Sequence, residues 1–230
     1  MIKTFKNVEY AFRWCPAGTF TMGTSLKNRK KLINNDNNRH RVTLTHGFWM
    51  LETEVTQKMW LSVMKENPSK LRGAARPVEN VSWEDCQEFL RRLNISGLTV
   101  SLPTEAQWEY ACQAGGTDID VDDLKKMGWY NKNADGKTHP VGKKKPNKWG
   151  LYDMYGNVWE WCQDWYSDDT HSSVTDPAGP KKGSHRVTRG GSWHSDAGDC
   201  RSDYRGKDSA DTKGSNLGVR IIGLEKSDYK

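Results

Sequence analysis

Five cysteines and six histidines are the residues of this 230-residue sequence best able to do nucleophilic, redox or metal chemistry, and their spacing groups them poorly. Cys15, Cys86, Cys112, Cys162 and Cys200 form no CxxC and no Cys/His metal spacing. They are too few for a disulfide scaffold, and their odd number leaves one thiol unpaired in a monomer. Each reads first as a small buried hydrophobe. His40, His46, His139, His171, His185 and His194 are scattered, with no nucleophile–base arrangement and no paired-ligand spacing. A run near the C-terminus has a different chemistry. Residues 194–216 read HSDAGDCRSDYRGKDSADTKGSN, and 15 of these 23 are Asn, Ser, Asp, Gly, His or Tyr. That set suits binding: Ser, Gly, Asp and Asn supply adaptable hydrogen bonds, Tyr and His compact contact area.

The residues expected to meet a ligand are His194, Ser195, Asp196, Gly198, Asp199, Asp203, Tyr204, Gly206, Lys207, Asp208, Ser209, Asp211, Gly214, Ser215 and Asn216. His194 and Tyr204 are the anchors, with Trp193 either a third anchor or a core residue. Asp196, Asp199, Asp203, Asp208 and Asp211 make the face acidic, which favours a basic or hydroxyl-rich protein or glycan over an acidic one. The competing plain reading is an ordinary Gly/Ser/Asp loop.

Composition bounds what can hold such a face. Hydrophobic residues make up 35% of the chain and the mean hydropathy is −0.88, so burial rests on few, large side chains. The 11 Trp residues supply them, each burying roughly 150–250 Å². A net charge of +6 permits attraction to anionic surfaces. The basic residues are dispersed except for Lys143-Lys144-Lys145, which reads as a solvated loop, and no nucleic-acid motif is present. No apolar run is long enough for a membrane span and no signal sequence opens the chain. The compartment stays open; surface display would come from elements outside this chain.

Positioning elements follow from local signals. Residues 8–24 read as a strand running into a tight turn at Gly23, and 41–50 as a second strand. Residues 25–40 are polar and read as a loop. Thr56 caps a helix over about 57–66 that stops at Asn67-Pro68. Ser82-Trp83-Glu84-Asp85 and Thr104-Glu105-Ala106-Gln107 carry capping-box spacing, opening helices to about Asn94 and to Gly115-Gly116. Val100-Ser101-Leu102-Pro103 is a short strand. After residue 116 helical periodicity is nearly absent, which leaves long loops of the kind that usually carry function. The expected architecture is α+β, with few short strands, two to three helices and long ordered loops, in one domain over 1–230.

Several segments resemble the formylglycine-generating-enzyme (sulfatase-modifying factor) family. They are Pro16-Ala17-Gly18-Thr19-Phe20-Thr21-Met22-Gly23, Glu54-Val55-Thr56, Val81-Ser82-Trp83, Leu102-Pro103-Thr104-Glu105-Ala106-Gln107-Trp108-Glu109-Tyr110-Ala111, Gly156-Asn157-Val158-Trp159-Glu160-Trp161, Arg189-Gly190-Gly191-Ser192-Trp193 and Leu217-Gly218-Val219-Arg220. They run in the family's order over nearly the whole chain. The resemblance implies a C-type-lectin-like fold. It also implies a test of activity, because the family's oxidases hold copper on two cysteines. Those positions are Ser195 and Cys200 here. A serine hydroxyl is a hard ligand and does not replace a thiolate for Cu(I), so no catalytic residue is assigned.

The window resembles the variable region of diversity-generating-retroelement variable proteins, in which adenines of Asn-rich template codons are mutated. All six enriched residue types lie one or two base changes from an Asn codon. Lys207 and Lys213 fit that scheme less well. Ala197, Cys200, Arg201 and Arg205 read as fixed structural residues within about 190–220. The implied function is a non-catalytic, receptor- or adhesin-like variable protein. The alternatives are a copper-dependent formylglycine-generating oxidase and an undiversified structural lectin-like module. The resemblance further implies a structural calcium, held by the side chains of Asp153 and Glu160 and the carbonyls of Gly156 and Val158, which offer the hard oxygens calcium prefers. The alternative is a Glu160 that is hydrogen-bonded without metal.

Overall fold

The computed structural model describes residues 1–23, 39–116, 121–168 and 173–226. In chain order its elements are β1 (Ile2–Phe5), β2 (Val8–Cys15), β3 (Gly18–Met22), β4 (His40–Leu44), β5 (Phe48–Leu51), α1 (Gln57–Val63), α2 (Trp83–Arg92), β6 (Leu98–Ser101), α3 (Glu105–Gln113), α4 (Val121–Met127), β7 (Trp159–Trp165), β8 (Ser173–Thr175), β9 (Arg186–Arg189), β10 (Arg205–Asp208), β11 (Leu217–Gly218) and β12 (Ile222–Glu225). The strands form three sheets, ordered β1-β2-β5-β12-β6, β10-β9-β7-β11 and β3-β4-β8. The C-terminal β12 lies between β5 and β6, antiparallel to both, so the two ends of the chain share one sheet.

The α+β expectation holds, with corrections. The stretch 8–24 is two strands in different sheets, because Pro16 has no N–H to continue the ladder. The stretch 41–50 is likewise two, divided at Gly47. A Cβ at Gly47 would lie 2.7 Å from Trp14 Cη2. The loop expected over 25–40 falls, apart from its last two residues, outside the described residues. α1 ends at Val63, three residues early, where the Met64 N–H closes on Trp60 O. α4 is a helix the periodicity did not reveal. It is seven residues long, with Asp122 and Asp123 in the first turn and Lys125 and Lys126 in the last. That charge order complements the helix dipole.

The three caps form as their spacing requires. Thr56, Ser82 and Thr104 accept from the N–H groups of Met59, Asp85 and Gln107, and the Asp85 and Gln107 side chains reach back to the cap N–H groups. Two apolar clusters make the interior. One gathers Phe48, Trp108, Tyr130, Tyr155 and Val187. The other gathers Phe12, Val81, Leu102, Trp161 and Val219, with Trp60 stacked on Phe89 at 4.9 Å. All five cysteines are free and buried. Between α4 and β7 the chain is irregular yet held by side chains. Asn147 accepts from Trp149 and Leu151 N–H and donates to Ala111 O. Asn157 accepts from His139 N–H at 2.9 Å. No helix among the described residues is long and apolar enough to cross a membrane.

Candidate functional site

Two buried arginines hold the C-terminal window to the body. Arg189, wholly buried at the end of β9, donates to Tyr204 O at 3.0 Å and Ser202 O at 2.6 Å and pairs with the Glu109 carboxylate. Arg220 donates to Leu51 O at 3.0 Å and Tyr152 O at 2.8 Å, and grips Glu160 through Nε and Nη2. The backbone between them is tied down elsewhere. Gly214 O accepts from Asn80 N–H, Ala210 O from Trp83 N–H, and Asn216 O from Trp159 N–H. Lys213 pairs with Asp85 at 2.6 Å, which with the Ser82 cap lowers the Asp85 pKa despite its partial burial.

Strand geometry then sorts the expected ligand residues. Successive side chains of a strand point to opposite faces. Arg205 and Lys207 lie over the Tyr166 ring, the Lys207 ammonium 4.3 Å from its centroid. Tyr204 and Gly206 lie on the other face, against Trp159. The Tyr204 and Trp159 rings are 5.8 Å apart, and a Cβ at Gly206 would come within 3.2 Å of Trp159 Cζ3. Lys207 therefore does not share a face with Tyr204, a correction that follows from the two-residue period. Ser195 and Asp203 are also turned inward. Ser195 Oγ accepts from Ser192 N–H at 3.1 Å, and Asp203 accepts from Arg201 Nε at 2.8 Å.

His194, Asp196 and Asp211 are exposed; Gly198, Asp199, Tyr204, Asp208, Ser209, Gly214, Ser215 and Asn216 are half-buried. Asp196 accepts from Asn131 Nδ2, and Gly198 O accepts from Arg201 Nη1 at 3.0 Å. Asp199 and Tyr204 hydrogen-bond to each other, and partial burial raises both pKa values. Trp193, half-buried, donates from Nε1 to Ser215 O at 3.0 Å, with the His194 ring 5.3 Å away. Trp159 and Asn131, outside the expected set, also contact this window, at Tyr204 and Asp196. The only signal for Trp159 was alternation, since Trp159 is half-buried while Trp161 is fully buried.

The residues at the family's metal positions make contacts of their own. Gly191, at φ +73, leaves room for Cys200; a Cβ there would sit 2.5 Å from its Sγ. Burial pushes the Cys200 thiol up to about 12, so it is protonated at neutral pH. The Ser195 hydroxyl beside it is bonded to Ser192 and is a hard ligand that does not stand in for a thiolate toward Cu(I). At the position the resemblance gives to calcium, both Glu160 oxygens accept from the Arg220 guanidinium, and Oε2 also takes Trp108 Nε1 at 2.6 Å. Gly156 and Val158 remain beside it as backbone. Asp153 Oδ2 takes Gly142 N–H at 2.7 Å. Asp153 Oδ1 and both Glu54 oxygens are buried without a partner, and burial first, then mutual repulsion, raises the Glu54 pKa well above the ordinary range. No group of three acidic, His or Cys side chains among the described residues converges as a metal site.

Comparison with known proteins gives these features a context. The family model described as the sulfatase-modifying factor enzyme 1-like domain matches residues 4–223. The chain is 31% identical over 237 residues to the chaperone protein LppX of Paenibacillus barcinonensis, covering 79% of this chain and 81% of that one. It is 37% identical over 166 residues to a formylglycine-generating enzyme of Streptomyces coelicolor, covering 63% of this chain and 51% of the enzyme, about half its length. Among solved structures, Treponema denticola variable protein 1 superposes with a TM-score of 0.85 and 32% identity over 96% of this chain and 98% of that one.

Proposed function

The chain belongs to the family of the sulfatase-modifying factor enzyme 1-like domain and has its C-type-lectin-like fold, and from that premise we propose that it is a non-catalytic binding protein whose C-terminal region is diversified by a retroelement. The observation that carries this reading is the near full-length likeness to a variable protein, joined to the composition of residues 194–216. The binding face is drawn from His194, Asp196, Asp199, Tyr204, Asp208, Ser209, Asp211, Gly214, Ser215 and Asn216, floored by Trp159 and Trp193. Gly198 and Gly206 shape its backbone. Constant residues hold that backbone from below, chiefly Arg189 through Ser202 O and Tyr204 O, so side chains above can change without loss of the fold. The ligand is a protein or glycan surface, basic or rich in hydroxyls.

The diversification is tested in the genome. A non-coding copy of the sequence encoding residues 190–220, differing only at adenines and lying beside a reverse transcriptase gene, is expected; its absence removes the claim. Binding is tested with a glycan array and a displayed random-peptide library as probes. Tyr204→Ala and His194→Ala are expected to weaken whatever the chain retains by about 2 kcal/mol each, as central aromatic anchors do. Unchanged binding by both variants would move the site off this face.

The rival reading is suggested by the 37% identity to a formylglycine-generating enzyme. The serine at position 195, a hard ligand where a thiolate is needed, argues against it. Titration of the chain with Cu(I) is expected to reveal no stoichiometric site. The variant Ser195→Cys is expected to bind Cu(I) at least about tenfold more tightly, because a second soft ligand is restored. Turnover of a cysteine-containing peptide by the unaltered chain would overturn the binding-protein reading.

A further inference from the structure

A cavity of about 550 Å³ opens where α3, β7, β8 and β10 meet, within the size range of small-molecule sites. It lies across the sheet from Tyr204, since it is lined by Arg205, the next residue along. Its walls are largely apolar, from Met22, Ala106, Val174, Pro177 and Pro180. Three carboxylates, Glu105, Glu109 and Asp164, and three guanidiniums, Arg186, Arg189 and Arg205, surround it, but they do not form three direct pairs. Arg205 is committed: Nε and Nη2 bind Glu105 at 2.6 and 2.7 Å, and Nη1 donates to Ser167 O at 2.9 Å. Arg189 is committed to Glu109 and, at 3.4 Å, to Glu105.

Asp164 is the carboxylate left over. It is 4% exposed, lines the cavity, and accepts from Glu105 N–H at 2.8 Å, but among the described residues it has no ion-pair partner. Arg205 on the cavity wall and Arg186 of β9 both attract it without a direct contact; Arg205 is bound to Glu105, and the Arg186 guanidinium is sandwiched between Trp83 and Trp165 and donates to Gln163 O. A buried carboxylate with no cation in direct contact is unstable as an anion; it is relieved by a proton or a cation.

We propose that this cavity binds a small protonated amine, its ammonium group against the Asp164 carboxylate and its hydrocarbon body against Met22, Val174, Pro177 and Pro180. Glu105 and Asp164 repel carboxylate and phosphate ligands from the same floor. The size limits the ligand to a small molecule, and the apolar wall favours an alkylamine over a hydrated inorganic cation.

The site has a built-in pH signature. Burial, with Glu105 repulsion second, pushes the Asp164 carboxyl up to about 7. The amine binds the ionised form and so displaces this proton. Its affinity therefore rises with pH, about tenfold from pH 6 to pH 8, as the ionised fraction rises through that pKa. The other titratable groups lining the cavity are Glu105, Arg205 and His40 of β4, the last acting on Glu105, and Arg186 stands behind Asp164.

The test uses the full chain with n-butylammonium, n-butanol and butyrate, followed by calorimetry and by the indole resonance of Trp165. Butylammonium is expected to bind, n-butanol at least about tenfold more weakly, and butyrate not at all. Asp164→Asn keeps the acceptor for Glu105 N–H but removes the charge, and is expected to abolish the preference for ammonium over alcohol. Ala178→Trp, at the exposed rim, is expected to block both ligands. His40→Gln is expected to leave the pH dependence in place. Near-ultraviolet circular dichroism of each variant verifies the fold. Equal binding of butanol and butylammonium, no binding of butylammonium at tens of millimolar, or a pH dependence lost in His40→Gln would each overturn the proposal. Tyr204→Ala leaves this binding unchanged, so failure here is distinct from failure of the window as a binding face.

Discussion

Replacing Arg220 with methionine is expected to cost about 3–5 kcal/mol, the range for breaking a buried pair from one side, and to leave a protein that is partly unfolded at ordinary temperature. Arg220 is fully buried and serves Glu160, Leu51 O and Tyr152 O together. Its removal orphans two carbonyls that bridge β5 and the irregular segment before β7. It also leaves Glu160, Glu54 and Asp153 as three buried carboxyls with only Lys144, acting on Asp153, to offset them. Total stability of a domain is about 5–15 kcal/mol, so such a loss consumes much of it. The measurement is equilibrium unfolding in guanidinium chloride. The double variant Glu160→Gln with Arg220→Met is expected to be less than additive, because the uncompensated charge is removed along with its partner. A loss below about 1 kcal/mol for Arg220→Met alone would show that water or relaxation replaces the guanidinium, and the account of this cluster would fail. Lysine at 220 is expected to recover little, since one ammonium cannot reach carboxylate and carbonyls in the planar geometry the guanidinium matches.

Gly156→Ala is expected to be comparably severe, about 3 kcal/mol or more, from two independent causes. Gly156 has φ +93, a region where a side chain alone costs on the order of 1–3 kcal/mol. A Cβ there would also fall 2.0 Å from the Trp129 carbonyl oxygen and 2.7 Å from its carbon. Those are backbone atoms joined to this position by a β-bridge, so they cannot rotate aside. Gly136→Ala is the matched control. It too has positive φ, at +68, but a Cβ would meet nothing within 4 Å, so only the conformational cost, about 1 kcal/mol, is expected. Thermal and denaturant unfolding of the two variants should separate by about 2 kcal/mol. Equal losses would show that the close approach of Trp129 and Gly156 relaxes freely.

The parts of this molecule that the sequence alone determined are those whose causes lie within a few residues. The capping boxes at Ser82 and Thr104 formed because cap and N3 residue are three apart, and nothing distant competes for them. The family likeness was legible for a related reason: an ordered set of short motifs survives any uncertainty about how they pack. α4 escaped notice because seven residues carry too little periodicity to exceed the polar background. The tertiary structure decided everything that depends on partners far along the chain. Glu160 stands in sequence beside Asp153 and Gly156, and only folding brings it to Arg220, 60 residues on. The window looks like one acidic face by composition, yet pairing of β10 with β9 sets the pleat that sends Lys207 and Arg205 one way and Tyr204 the other. Asp164 gave no sign of chemistry in the sequence. Only folding buries it beside Glu105, with no guanidinium in direct contact.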